Sequence, residues 1–224
     1  MSDIYEVEGW GVMKAIGQSV AVADYGMGNI GSIRNMLNYL GYECHTVSTG
    51  KEMATAQTII LPGVGHYKKA MTNIKKRELD KALRTAVYER GAYVLGICLG
   101  MQLLMEYSEE GDCYGLGFIQ GKVKKLSGIK LPVPHMGWNT VEYADWAKNF
   151  YMEGAARYYF VHSYYVHCDN QDNIMATTEY GIKFTSAVRR QNIIGVQFHP
   201  EKSHIFGMDF FKKYMEMREC TVIG

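Results

Sequence analysis

The sequence predicts an α/β protein: a three-layer sandwich with a central, mostly parallel sheet and antiparallel additions. Three observations predict it. Apolar runs without polar alternation, at Val20–Ala23, Thr58–Leu61 and Tyr93–Ile97, alternate with helix-periodic segments through the first half of the 224 residues. Such runs read as strands buried on both faces, which need helices on both sides. After about Cys113 the chain changes to glycine-punctuated, aromatic β-type segments, and one helical segment closes it.

Each element has its own signal. Residues 1–18 show no clean period and are expected to be a leader, disordered or artificial, with Met13 as an alternative start. A single domain is expected over 19–224. Val20–Tyr25 reads as a strand that ends in a glycine turn. Ile30, Ile33, Leu37 and Leu40 then share one helical face, and Gly41 supplies the stop. Cys44–Val47 is a short second strand, and Thr58–Leu61 a third, cut off by Pro62-Gly63. Leu79, Ala82, Leu83, Ala86 and Val87 form an amphipathic stripe that ends at Gly91. Tyr93–Ile97 is a fourth buried strand, with a helix expected just after Cys98. The segments Leu116–Leu126, Trp138–Tyr143, Tyr158–His167 and Ile193–Phe198 are expected as antiparallel additions to the same sheet, and Phe206–Met217 as the last helix.

Composition removes several classes of function. Lys and Arg total 24 and Asp and Glu 23, so no surplus of positive charge points to a nucleic acid or a membrane surface. The apolar uncharged stretch Tyr93–Met105 is shorter than the roughly 20 apolar residues of a membrane span. Five scattered cysteines without CxxC spacing suit reduced thiols in a cytoplasmic compartment and offer no metal site.

Gly26-Met27-Gly28-Asn29-Ile30-Gly31 matches the dinucleotide pattern GxGxxG between a strand and a helix. A non-catalytic nucleotide-binding module would use it so. The next strand, however, ends Thr46-Val47-Ser48-Thr49, with no acid to hold a ribose. A tight strand-to-helix turn explains the glycines as well.

The sharpest signal is Gly96-Ile97-Cys98-Leu99-Gly100, between the fourth strand and the helix expected after it. This is a nucleophile elbow with cysteine in place of serine. It lifts the sulfur above the sheet edge and sets it at a helix N-terminus, where thiolate is favoured. A base is available in Phe198-His199-Pro200-Glu201. In extended backbone, residues two apart share a side, so the Glu201 carboxylate orients one imidazole nitrogen and the other faces Cys98. His45, His66, His135, His162 and His167 make weaker bases. Pro62-Gly63-Val64-Gly65 ends the third strand. Its backbone N–H groups at Gly63 and Val64, with that of Leu99, suit an oxyanion hole.

These motifs together resemble those of the class I (triad) glutamine amidotransferases, and the resemblance runs from about Val20 to Met217. It implies a flavodoxin-like sandwich. Within the family, Asp24–Asn29, the Pro-Gly-Val-Gly turn, Pro134-His135-Met136-Gly137-Trp138-Asn139 and His199–Ser203 resemble the glutaminase subunits of imidazole glycerol phosphate synthases. The resemblance implies that Cys98 attacks the glutamine side-chain amide, that His199 protonates the leaving ammonia, and that water releases glutamate from a thioester. It places Gln102, His162, Ser163 and Tyr164 against glutamine, and Trp138 and Lys202 near a synthase interface. It implies a (β/α)8-barrel cyclase subunit as heterodimer partner and ammonia acceptor, no cofactor, and weak activity until the partner is loaded. Lys202–Gly207 also resembles a paralogous set that feeds amidino-sugar synthesis. A cysteine peptidase-like hydrolase on the same fold is a further alternative; Gln102 and the Pro-Gly-Val-Gly turn favour a glutamine pocket.

Overall fold

The computed structural model describes residues 19–150 and 156–221. The expected leader 1–18 lies outside the described residues. The first half alternates as the sequence predicts: β1 (Val20–Ala23), α1 (Ile30–Tyr39), β2 (Cys44–Val47), α2 (Gly50–Thr55), β3 (Thr58–Leu61), α3 (Tyr67–Lys76), α4 (Leu79–Arg84), β4 (Tyr93–Ile97) and α5 (Leu99–Leu103). The stripe on α4 continues through one wider turn, Thr85–Glu89. The second half holds β5 (Met105–Ser108), β6 (Cys113–Tyr114), β7 (Ile119–Lys125), β8 (His135–Thr140), β9 (Glu142–Tyr143), β10 (Arg157–His162), β11 (Tyr164–Cys168), β12 (Ile174–Glu179), β13 (Lys183–Arg190), β14 (Ile193–Val196) and α6 (His204–Thr221).

Strand order in the main sheet is β2-β1-β3-β4-β14-β13-β11-β7-β5-β6, with β12 paired to β13 and β9 to β12. The stretch from β2 to β14 is parallel throughout. This is a flavodoxin-like three-layer sandwich, and alternation along β1 explains the layers. Ala21 and Ala23 pack into one apolar cluster with residues of α3 and α4, such as Ala70, Met71 and Leu83. Val20 and Val22 pack into the other with Ile33 and Leu37 of α1 and Phe210, Phe211 and Tyr214 of α6.

Several expectations change. Neither Tyr158–His167 nor Trp138–Tyr143 is one strand of the main sheet: the chain breaks at Ser163 and at Val141, and among the described residues β10 pairs with β8 in a separate two-stranded sheet, while β9 joins the main sheet. The Ile193 segment, expected antiparallel, runs parallel to β4 and antiparallel only to β13. It does so because the chain returns to the sheet centre through β13. The helix expected just after Cys98 is present as α5; it is short, stopping at Leu103, and a strand starts at Met105. Among the described residues, no helix is long and apolar enough to cross a membrane.

Candidate active site

Cys98 directly follows β4, with φ 54° and ψ −108°. A side chain in this region carries about 1–3 kcal/mol of strain, which the surroundings must hold. They do so through the Cys98 N–H, which donates to the Val196 carbonyl at 2.7 Å, and the Cys98 carbonyl, which accepts from Gln102 N–H at 3.1 Å. The turn is too tight for a side chain at Gly100: a Cβ there would lie 1.9 Å from the Leu61 carbonyl oxygen. With five residues in α5, the helix dipole at the sulfur is slight, contrary to expectation.

The charged partner comes from β14. Because β14 is the parallel neighbour of β4, the chain leaves both at the same sheet edge. His199 is buried there. Its N–H donates to the Tyr159 carbonyl at 2.8 Å, and its carbonyl accepts from Ser203 Oγ at 2.6 Å. Nδ1 and Glu201 Oε1 are 2.7 Å apart, and both side chains are 2% exposed. The expected extended link between them is instead a single 3-10 turn, Pro200–Lys202, which folds Glu201 back under the ring. Nε2 is buried and faces the Cys98 sulfur. Burial disfavours the protonated ring, but the negative sulfur of Cys98, and after it the Glu201 carboxylate, outweigh burial and raise His199 to about 10. The arrangement suits a protonated imidazole beside the sulfur.

The Pro62–Gly65 turn reaches the same edge. A Cβ on Gly63 would lie 2.5 Å from Leu99 Cβ, so the turn rests directly on α5. The buried Tyr25 hydroxyl donates to the Pro62 carbonyl from below. Val64 and Leu99 line the cleft beside Cys98, while Gly63 is buried behind them. The glycine motif after β1 supports this turn. Gly28, at φ 119°, lies where a Cβ would approach Pro62 Cβ to 3.0 Å. The Asn29 side chain accepts from Ser32 N–H at 3.3 Å and so caps α1 where a dinucleotide phosphate would sit.

A family model described as "Glutamine amidotransferase class-I" matches residues 21–213. The chain belongs to the class I glutamine amidotransferases. Similar proteins include imidazole glycerol phosphate synthase subunit HisH 2 of Methanococcus maripaludis, 46% identical over 201 residues, which are 88% of this chain and 98% of that protein. The HisH subunit of Moorella thermoacetica is 44% identical over 88% of this chain and 94% of its own. That of Bdellovibrio bacteriovorus is 40% identical over 88% and 100%. Among solved structures, a glutamine amidotransferase superposes with a TM-score of 0.72 at 17% identity, covering 89% of this chain and 99% of that one. PurLQS of Thermotoga maritima gives 0.70 at 17% identity, covering 89% and 98%; both are likenesses of fold.

The amidotransferase cleft beside Cys98 encloses about 370 Å³. Gln102, His162, Ser163 and Tyr164 all line it. Gln102 Nε2 donates to the Tyr164 carbonyl at 3.0 Å, which ties α5 to this wall. His162 is committed inward: Nδ1 bonds the Tyr164 carbonyl at 2.8 Å and Nε2 faces His135 Nδ1 at 2.9 Å. Burial lowers His162 to about 3 and His135 to about 4, so both rings are neutral near pH 7. Sequence reasoning missed Glu110, whose carboxylate lines the cleft and accepts Tyr67 N–H at 2.8 Å. No spacing rule links it to Cys98; only the fold of β5 does. Among the described residues, no cluster of His, Cys, Asp and Glu could hold a metal ion.

Trp138 and Lys202 sit together on the amidotransferase surface. Trp138 is 41% exposed and stacks on His204 at 5.6 Å between ring centroids. Its edge meets the Tyr159 ring at 6.5 Å, and Lys202 Nζ lies 5.8 Å from the same ring. Met136 and Ile205, both exposed, extend the patch.

Proposed function

We propose that this chain is the glutaminase subunit of an imidazole glycerol phosphate synthase, acting in the cytoplasm in histidine biosynthesis. The observation that carries the reading is the Cys98 elbow beside the buried His199–Glu201 pair, in a chain 46% identical to a subunit of that name over 88% of its length. Cys98 attacks the side-chain carbonyl carbon of glutamine. The N–H groups of Val64 and Leu99 receive the oxyanion, with Gly63 setting the turn. His199 gives its Nε2 proton to the leaving ammonia and then takes one from water, which cleaves the thioester to glutamate. Glu201 holds the ring by Nδ1. Gln102, His162, Ser163 and Tyr164 form one wall for the amino-acid part of the substrate, and Glu110 faces its ammonium group. No cofactor takes part.

Ammonia released to water would be protonated and lose its nucleophilicity. It passes instead to a synthase subunit, a (β/α)8 barrel docked as a heterodimer over the Trp138–Lys202 surface. The test is Cys98→Ala, purified with its partner. Glutamate release falls to background while the two subunits still co-purify. Turnover at the wild-type rate in that complex defeats the assignment. The identity of the co-purified subunit separates the histidine pathway from the amidino-sugar pathway.

A further inference from the structure

Gln197 is fully buried just beyond β14 and has no part in the roles proposed for Cys98, His199 and Glu201. The register explains its position. Val196 lies opposite Ile97 in the parallel pair, so the next residue on each strand, Gln197 and Cys98, are neighbours at the sheet edge. The Gln197 backbone is anchored by its N–H, which donates to the Ser186 carbonyl at 2.8 Å. Its side-chain amide spans two groups: Nε2 is 3.5 Å from Cys98 Sγ, and Oε1 is 3.1 Å from Gln102 Nε2.

The direction of these bonds follows from one main-chain atom. Gln102 Nε2 also lies 3.0 Å from the Tyr164 carbonyl, which can only accept. The Gln102 atom at that point is therefore its amino group. The same amino group faces Gln197, whose near atom must be the oxygen. That leaves the Gln197 amino group directed at the sulfur. A donor there favours a charged sulfur over a neutral one, because hydrogen bonds to ions are about twice as strong as neutral ones.

We propose that Gln197 is a further catalytic residue, whose side-chain N–H donates to the Cys98 sulfur and holds it as the attacking thiolate. This rests on the reading of Cys98 as the nucleophile. The other titratable groups around the sulfur are His199 beyond β14 and Tyr25 beyond β1, with His162 and Glu110 on the cleft walls. The Tyr25 hydroxyl donates to the Pro62 carbonyl, and the two His162 nitrogens face the Tyr164 carbonyl and His135, so neither replaces the donor.

The experiment follows Cys98 alkylation by iodoacetamide against pH in the complex with the synthase subunit, the modified cysteine being located by peptide mass spectrometry. In Gln197→Met, the pH of half-maximal alkylation moves up by about one unit, the loss expected for one hydrogen bond to a charged group. Glutamine kcat falls about tenfold on the same estimate, with KM little changed. Gln197→Glu keeps the volume and the acceptor that Gln102 faces, and serves if the methionine variant does not fold. Its profile moves the same way and further. An unmoved profile in a folded variant, with wild-type turnover lost on Cys98 alkylation, overturns the role of Gln197 alone. Wild-type complex that keeps turning over after Cys98 is alkylated overturns the nucleophile reading beneath it.

Discussion

Replacing Glu201 by glutamine removes one charge and almost no volume, so its consequences can be worked out atom by atom. In the wild-type protein, Oε1 accepts from His199 Nδ1 at 2.7 Å, while Oε2 is buried without a partner among the described residues. The glutamine amide can sit in two ways. With its oxygen toward Nδ1, the ring tautomer survives, but the amino group occupies the partnerless position, where an unsatisfied donor costs about 1–3 kcal/mol. With its amino group toward Nδ1, the ring must carry its proton on Nε2, the wrong nitrogen for taking one from water. In either case a charge-assisted bond of about 1.5–3 kcal/mol becomes a neutral one of about 0.5–1.5 kcal/mol or is lost. The difference, about 1.4 kcal/mol, corresponds to roughly one pH unit on the imidazole and about a tenfold loss of rate.

The sign follows from the raised value of His199, about 10 in the folded protein against 6.5 unfolded. The stability that this proton contributes is complete below 6.5 and is lost as pH rises toward 10. In Glu201→Gln the upper end of that window moves down by about one unit. Glutaminase rates of the complex, measured from pH 6 to 10.5 as glutamate release under saturating synthase ligand, should show it directly. The expected result is a tenfold or greater fall in kcat/KM and an alkaline limb displaced to lower pH. A variant with wild-type kcat/KM and an unmoved alkaline limb would show that Glu201 neither charges nor orients the ring.

Two further outcomes follow from packing and burial. Gly100→Ala puts a Cβ 1.9 Å from the Leu61 carbonyl oxygen. Overpacking of this kind costs about 3 kcal/mol and should lower the melting temperature by roughly 6–12 °C, measured by differential scanning calorimetry; an unchanged melt would mean the elbow has room that the structure denies. His135 and His162, lowered to about 4 and about 3 by burial, bind protons more weakly folded than unfolded. Their contribution is complete above 6.5 and is lost as pH falls, by about 1.4 kcal/mol per pH unit each between pH 6 and 5. Urea unfolding at those two pH values should therefore show a shallower pH dependence in His135→Gln than in the wild type, and equal slopes would refute the neutral pair.

Legibility in the sequence tracked how local each signal was. β1, β3 and β4 were readable because a strand buried on both faces leaves an apolar run with nothing polar inside it, as Val20–Ala23 does. α3 is hard to see in the sequence, although Tyr67, Ala70, Met71 and Ile74 keep helical spacing, because Lys68, Lys69, Lys75 and Lys76 crowd the same ten residues. β12 and β13 are hard to see as well. Thr177, Thr178, Thr185 and Ser186 interrupt their apolar residues, and those strands are identifiable only by the partners they meet. At the site, Cys98 and His199 each announce a strand end in their own neighbourhood. Glu110, His135, Tyr25 and Gln197 carry no such mark: each acquires its place from a contact 27 to 99 residues away, as from His135 to His162 and from Gln197 to Cys98.

The same distinction explains how the sulfur is stabilised. The sequence suggests a helix N-terminus as the source of positive field, and a long helix would supply about half a charge there. A five-residue α5 supplies much less. Besides the Val161 carbonyl of β10, 3.8 Å away, two groups delivered by the neighbouring strand meet the sulfur: the raised imidazole of His199 and the amide of Gln197, both just beyond β14. In the proposed mechanism, the activation of Cys98 is then a property of the β4–β14 pairing more than of the elbow itself. Displacing β14 relative to β4 by a single residue would leave the elbow intact and remove both groups from the sulfur at once, since Gln197 and His199 are set by one register, Val196 opposite Ile97.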